Sequence, residues 1–259
     1  MKIIKAKDYE DMSRKAANII SAQVILKPDC VLGLATGSTP IGAYKQLAAW
    51  YEKGDVDFAE VSTYNLDEYR GLSHDDPQSY HYFMWENFFK HINIKKENIN
   101  MLDGMTKDYA GECRRYEEKI KACGGIRLFL GGVGSDGHIA FNEPGSSLSS
   151  RTRVKTLTTE TVQANSRFFD NDVNQVPRTA LTVGVGTICD ADEVMILATG
   201  ANKARALHHA IEGSINHMWT ISILQMHQHA VIVCDDEATK ELKADTVKYF
   251  KDIEQSNFI

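Results

Sequence analysis

No stretch of this sequence approaches the roughly 20 consecutive apolar residues that a membrane-spanning helix needs. No Pro/Ser-rich linker, internal repeat or low-complexity tract interrupts its 259 residues. The five cysteines, Cys30, Cys113, Cys123, Cys189 and Cys234, are odd in number, widely spaced and without a CxxC pair. That disfavours a disulfide framework or a thiolate zinc site and fits reduced, mostly buried thiols in a cytoplasmic protein. Met1-Lys2-Ile3-Ile4-Lys5-Ala6 runs into a helix-like segment and lacks the apolar core of a signal peptide. A cationic surplus is missing too, since 29 Lys and Arg face 35 Asp and Glu for a net charge of -6. Nucleic-acid binders want a basic face, so that class is disfavoured, whereas a small anion needs only a few local cations. The nucleotide P-loop pattern GxxxxGK[ST] is absent as well.

With 43% hydrophobic and 25% charged residues, the chain has an ordinary globular balance, and we expect one soluble intracellular domain spanning 1–259. Short β-rich apolar runs at 1–6, 30–35, 60–65, 126–131, 180–183, 193–199 and 230–234 alternate with amphipathic stretches. The helical patterns fall at 8–26, 40–53, 79–91, 108–122, 202–211 and 238–254. Runs such as Val31-Leu32-Gly33-Leu34 and Val194-Met195-Ile196-Leu197 are apolar on both faces, as in a parallel sheet covered on each side. The expected fold is therefore α/β, an open, doubly wound, mostly parallel sheet with helices on both faces, Rossmann-like. Residues 146–176 are polar with little periodicity, which suggests an irregular segment and a lid around 157–180. Ligands of such sheets bind beyond the carboxyl ends of the strands, so the polar residues there carry the chemistry.

Thr36-Gly37-Ser38-Thr39-Pro40 follows one strand and opens a helix. Hydroxyls beside free N–H groups at a positive helix end form an anion cradle, although an ordinary capped helix start would look the same. After the next strand, Asn65-Leu66-Asp67-Glu68-Tyr69 places two carboxylates where strand formers are expected. Asp67 is a candidate general base, with a cap the competing reading. Gly132, Gly134 and Gly137 match GxGxxG, but Pro144 arrives too soon for the crossover helix of a dinucleotide site. Asp136, His138 and Glu143 suit proton transfer better, because two carboxylates can fix the tautomer of an imidazole. Their spacing is no standard metal set. Arg151, Arg153, Lys155 and Arg167 add positive charge, and Lys203 in a first helical turn opposes the helix dipole, so an anion is its expected partner. Arg151 alone reads as a surface charge. His208-His209, Met226-His227-Gln228-His229 and the aromatic run Tyr80–Trp85 read as structural.

Together, the 34–40 and 65–69 segments, Gly137-His138-Ile139-Ala140-Phe141-Asn142-Glu143-Pro144 and Ala164-Asn165-Ser166-Arg167-Phe168-Phe169 resemble the glucosamine-6-phosphate deaminases (the glucosamine-6-phosphate isomerase family) over nearly the whole chain. The resemblance implies a hydrolase of an amino-sugar phosphate that converts glucosamine 6-phosphate to fructose 6-phosphate and ammonia, with no cofactor and no metal. It implies phosphate binding by Thr36, Gly37, Ser38, Thr39, Arg167 and Lys203. It also implies ring opening by His138 with Asp136 and Glu143, and proton transfer from C2 to C1 by Asp67. Ser146, Arg153, Lys155 and Tyr249 match an activator site for N-acetylglucosamine 6-phosphate in hexameric members, which implies allosteric activation and a homo-hexamer; charge and hydropathy lead us to expect no nucleic-acid or membrane partner. A 6-phosphogluconolactonase shares the phosphate loop but needs no carbon-acid base. A sugar-phosphate sensor would carry a DNA-reading module.

Overall fold

The computed structural model describes the chain from Met1 to Ser256, with side chains as far as Ile253. Its first half runs β1 (Lys2–Lys5), α1 (Tyr9–Leu26), β2 (Val31–Leu34), α2 (Ile41–Lys53), β3 (Ser62–Asn65), β4 (Asp67–Tyr69), α3 (Tyr80–Asn87), β5 (Ile99–Asn100) and α4 (Tyr109–Ala122). The second half runs β6 (Leu128–Gly132), β7 (Arg153–Thr156), α5 (Thr159–Asn165), β8 (Thr179–Thr182), α6 (Val185–Cys189), β9 (Glu193–Ala198), α7 (Ala204–Ile211), β10 (Ala230–Cys234) and α8 (Ala244–Ser256).

Seven strands form a parallel sheet in the order β1-β10-β9-β6-β2-β3-β5. The chain winds outward from β2 through β3 to β5, then returns to β6 on the other side of β2. A switch point therefore lies between β2 and β6, where diverging loops open a crevice. Side chains alternate across the sheet as the strand period requires. Leu32, Leu34, Leu128, Leu130, Met195 and Leu197 pack with Met12, Ile20, Tyr44 and Leu47 of α1 and α2. Val31, Phe129, Val194, Ile196 and Ile232 face the other way, onto Tyr116, Ile188 and Leu207 of α4, α6 and α7. Burial on both faces explains the unbroken apolar runs in the sequence.

The remaining strands form a second, antiparallel sheet in the order β4-β8-β7. The 180–183 run is thus a strand as expected, but it belongs to this small sheet, where β7 and the acidic β4 are its partners. Neither partner carries an apolar run, and so both escaped the periodicity. Residues 146–176 are likewise not irregular: they hold β7, α5 and a 3-10 turn at Ser166–Phe168. Thr158 caps α5 by accepting from the Thr161 N–H. A third apolar cluster, Tyr69, Phe141, Leu157, Val162, Phe169, Val176 and Ala180, holds this segment down beside the crevice. Helix α8 begins at Ala244 because Glu237–Thr239 form a separate 3-10 turn, and α7 is preceded by another at Ala201–Lys203. The opening residues pair as β1 with β10 before α1 starts at its Asp8 cap, the strand-then-helix order expected of residues 1–26. Cys30, Cys113 and Cys234 are buried, whereas Cys123 is exposed and Cys189 half-buried. Among the described residues no helix is long and apolar enough to cross a membrane.

Where β2 crosses β6, a Cβ on Gly33 would enter the buried Phe129 ring. Gly33→Ala must displace a ring with no room to move, at a cost of about 1–3 kcal/mol. Chemical denaturation is expected to show an earlier midpoint, and an unchanged midpoint would contradict this packing.

Candidate active site

The crevice at the switch point is a cavity of about 470 Å³. Four strand ends supply its walls: 35–39 after β2, 66–69 after β3, 132–138 after β6, and Asn202 with Lys203 after β9. Residues of α3 and the 160–169 segment close the remaining side. All the catalytic and phosphate-binding candidates line this space except Glu143, which is buried directly behind His138.

One end is acidic. In β4, Asp67 and Tyr69 point into the cavity while Glu68, between them, points away, as strand alternation demands. Glu68 Oε1 accepts from the backbone N–H of Tyr69 at 2.8 Å and of Tyr80 at 3.0 Å, and Oε2 accepts from that of His81 at 3.0 Å. The capping role of the paired carboxylates thus falls to Glu68. Glu68 satisfies the N-terminus of α3, and Asp67 remains available. Burial, with the Glu68 charge adding to it, pushes the Asp67 carboxyl well above the usual carboxylate range. A carboxylate kept from water in this way is a stronger base once ionised.

Across the cavity, His138 Nδ1 lies 2.7 Å from Asp136 Oδ1 and 3.7 Å from Glu143 Oε2. A Cβ on Gly134 would collide with both the imidazole and the Asp136 carboxylate, so this approach requires glycine there. Burial acts to raise the Asp136 pKa, but the adjacent imidazole outweighs it and holds the carboxyl below its ordinary value. Glu143 is 1% exposed; its Oε1 accepts from the Thr158 N–H at 3.1 Å, and Oε2 lies 3.4 Å from the Thr158 hydroxyl. The loop between them is pinned by buried bonds, with Asn142 Nδ2 donating to the carbonyls of Ile139 and Val183 at 3.0 and 2.9 Å. Thr220 Oγ1 donates to the Asn142 carbonyl at 3.0 Å. The nearest ligating atoms of Asp136, His138 and Glu143 all fall within 4.8 Å, so these three are the residues that could hold a cation. Both carboxylates already have partners inside the protein. No crossover helix follows Gly137, and the next regular element is β7, which removes the structural basis of a dinucleotide fingerprint.

The other end is cationic. Lys203 is half-buried and Arg167 is exposed at the rim, and among the described residues neither forms an ion pair with a carboxylate. Burial lowers the Lys203 pKa, and the Arg167 charge lowers it further. The two neighbouring cations line the same cavity as residues 36–39 ahead of α2, a combination chemically suited to an anion, and of the acids Asp136 alone acts on Lys203. Tyr9 braces that loop, donating to the Ser38 carbonyl at 3.0 Å and accepting from Gly42 N–H at 2.9 Å. Pro40 is the cap of α2 rather than its first residue.

Several lining residues carry no signal in the sequence. Tyr80 and Phe83, in the run read as structural, line the cavity. The Tyr80 ring packs 4.9 Å from Tyr69, whose hydroxyl accepts from Asn165 Nδ2 at 2.9 Å. Helical spacing could have marked Tyr80 and Phe83 as one face, but only the fold shows that the face is wet. Arg151 is the surface charge it resembled, paired with Glu117 at 2.8 Å and Asp190 at 2.6 Å. Ser146, Arg153 and Lys155 gather behind Glu143. Ser146 N–H donates to the Glu143 carbonyl at 3.0 Å, Arg153 Nη1 donates to Asn142 Oδ1 at 2.9 Å, and Lys155 shares its side of β7 with Arg153. The Ser146 hydroxyl is buried without a hydrogen-bond partner. Tyr249 does not join them; it is 61% exposed on α8, which packs on β1 at the sheet edge.

Residues 6–233 match the family described as glucosamine-6-phosphate isomerases/6-phosphogluconolactonase. A glucosamine-6-phosphate deaminase of Phocaeicola vulgatus is 60% identical, over 99% of this chain and 100% of the relative. A namesake from Borreliella burgdorferi is 57% identical over 100% and 98%. Among solved structures, a protein described as a monomeric glucosamine-6-phosphate deaminase superposes with a TM-score of 0.90 at 42% identity, over 92% of this chain and 98% of that one. A 6-phosphogluconolactonase of Trypanosoma cruzi shares the fold, with a TM-score of 0.74 at 20% identity over 94% and 97%.

The raised Asp67 pKa has a cost in stability. Above the unfolded value of 3.8, the folded chain holds a proton that the unfolded chain has released, so this group's contribution falls as pH rises. Asp67→Asn removes that penalty. Its melting temperature is expected to exceed the wild type's at pH 7–8, with the gap closing as pH falls toward about 4. A variant less stable at neutral pH would contradict the burial of an unneutralised carboxyl.

Proposed function

The chain belongs to the family of glucosamine-6-phosphate isomerases and 6-phosphogluconolactonases, and from that premise we propose that it acts as a glucosamine-6-phosphate deaminase. Glucosamine 6-phosphate is isomerised and deaminated to fructose 6-phosphate and ammonia. The observation that carries this reading is the placement of Asp67, a buried carboxylate with no cation paired to it, opposite His138 in one cavity whose far end is cationic. A lactone hydrolase needs no carbon-acid base, and the match at 60% identity lies with the deaminases.

The steps divide among the residues as follows. Thr36, Gly37, Ser38 and Thr39 with Arg167 and Lys203 bind the phosphate, which anchors the sugar and supplies binding energy for orientation. His138, held by Asp136 and Glu143, moves a proton from the anomeric hydroxyl to the ring oxygen and opens the pyranose. The resulting C1 carbonyl acidifies C2. Asp67 removes the C2 proton, and an enolamine forms as the double bond shifts. Reprotonation at C1 gives a C2 imine, water adds, and ammonia leaves. Reduction of C1 from aldehyde to alcohol balances oxidation of C2 from amine to ketone within the sugar, so the reaction needs no external redox cofactor, and proton shuttles serve in place of Lewis-acid polarisation. The segment 157–180 acts as the lid of a single domain.

Regulation follows from the second cluster. Ser146, Arg153 and Lys155 bring two cations and an unpartnered buried hydroxyl near one another, a set suited to an anionic activator such as N-acetylglucosamine 6-phosphate. Because Tyr249 stands apart within one chain, it could complete that pocket only across an interface between copies, and we extend the proposal to an allosteric homo-hexamer in the cytoplasm. Light scattering is expected to show six copies, and turnover to respond to the acetylated sugar. A monomer without that response contradicts this part of the reading.

Ammonia and fructose 6-phosphate are expected in equal amounts from glucosamine 6-phosphate in the presence of EDTA. Neither product appearing would contradict the deaminase reading and make 6-phosphogluconolactone the next substrate to test. Lys203→Ala is expected to raise KM by about tenfold or more with a smaller change in kcat, since a charge-assisted contact to phosphate is lost. An unchanged KM would remove Lys203 from the phosphate site.

A further inference from the structure

Helix α5 has seven residues, too few to be stable by itself in water. Buried ties at both ends fix it in place. At its C-terminal end, Asn165 Nδ2 donates to Tyr69 Oη at 2.9 Å, next to Asp67 in β4. Its N-terminal end is tied through Thr158, whose backbone N–H donates to Glu143 Oε1 at 3.1 Å. The Thr158 hydroxyl has two further partners besides Glu143 Oε2: it accepts from Thr161 N–H at 3.2 Å as the helix cap, and it lies 3.2 Å from Thr161 Oγ1. A hydroxyl can accept from the cap N–H and donate to the carboxylate at once, which no aliphatic side chain can do. Glu143 has no other donor from a side chain at this distance among the described residues, and its Oε2 is the atom 3.7 Å from His138 Nδ1.

We propose that Thr158 is a positioning residue that ties the cap of α5 to the placement of Glu143 behind His138. The inference rests on the deaminase reading and extends it. With α5 in place along the cavity, its cap residue supplies both the hydroxyl and the N–H that hold the Glu143 carboxylate beside the imidazole. The role acts on proton transfer rather than on affinity, so it belongs to kcat.

Three substitutions separate this role from simple helix capping. Thr158→Ser keeps both functions of the hydroxyl. Thr158→Asp keeps an oxygen for the Thr161 N–H but cannot donate to Glu143 and sets a like charge against it. Thr158→Val removes both functions at similar volume. Turnover of glucosamine 6-phosphate is measured alongside binding of the reduced open-chain analogue, 2-amino-2-deoxyglucitol 6-phosphate, which needs no ring opening. The Ser variant is expected within about twofold of wild-type kcat, and the Asp and Val variants lower by about tenfold or more, with analogue affinity changed by less than about threefold in all three. An Asp variant with wild-type kcat would show a cap and nothing else, and analogue affinity falling in step with kcat would show a collapsed lid. Either result overturns the proposal. A wild-type enzyme that releases no ammonia overturns the deaminase reading first, and this one with it.

Discussion

A carboxylate buried to 0% exposure holds this site together. Among the described residues Glu68 has no cation paired to it; three backbone N–H groups, two of them from the first turn of α3, surround its oxygens. The N-terminus of a helix is one of the few places where a buried negative charge is met by a ready set of donors. Even so, burial raises the Glu68 pKa to about 7, so the clamp is strained toward protonation near neutrality. Because Glu68 is fixed under α3, the three residues of β4 have no rotational freedom, and strand alternation turns Asp67 and Tyr69 into the cavity. Everything on the acidic wall follows from that one anchor: the base itself, the Tyr69 hydroxyl that receives Asn165, and the edge on which β8 pairs.

Charge is then divided along the cavity. Asp67 lines one wall and Asp136 with His138 another, with Glu143 buried behind the imidazole, while Arg167, Lys203 and the residues leading into α2 supply the cationic lining. An amino-sugar phosphate offers the complementary pattern, with its ammonium near the reacting carbons and its dianion four carbons away. Binding at the cationic end requires no change at the acidic end, which leaves the carboxylates free for proton transfer. The switch point between β2 and β6 makes this arrangement possible, since the loop proposed for the phosphate leaves the sheet from β2, the loop proposed for ring opening from β6, and Asp67, the proposed base, follows the strand beyond β2. The covering segment touches both ends, with Arg167 near the phosphate loop and Thr158 on Glu143.

The parallel sheet was readable because strands buried on both faces must be apolar throughout, as 31–34 and 194–197 are. The second sheet was not, because β4 and β7 are held by buried hydrogen bonds and small-sheet pairing rather than by apolar alternation: Asp67-Glu68-Tyr69 and Arg153-Val154-Lys155-Thr156 resemble loops. The same property hid the order within 146–176. The residues that gather at the cavity were legible where a segment carries an unusual set, such as two adjacent acids after a strand or an imidazole between carboxylates. Tyr80, Thr158 and Asn165 were not, since an aromatic on a helix, a threonine at a cap and an amide in a polar stretch are common without any site. Only the tertiary contacts, Tyr80 beside Tyr69, Thr158 on Glu143 and Asn165 on Tyr69, give them a role.

The central claim, that Asp67 carries the proton between C2 and C1, is tested most directly by following the sugar carbons in D2O by NMR. Wild-type enzyme held at equilibrium with glucosamine 6-phosphate, fructose 6-phosphate and ammonium is expected to exchange the C2 hydrogen of the amino sugar and one C1 hydrogen of the ketose for deuterium. Asp67→Asn should leave both signals intact while still binding the open-chain analogue. Exchange at the wild-type rate in the Asn variant would contradict the account and place the base elsewhere in the cavity.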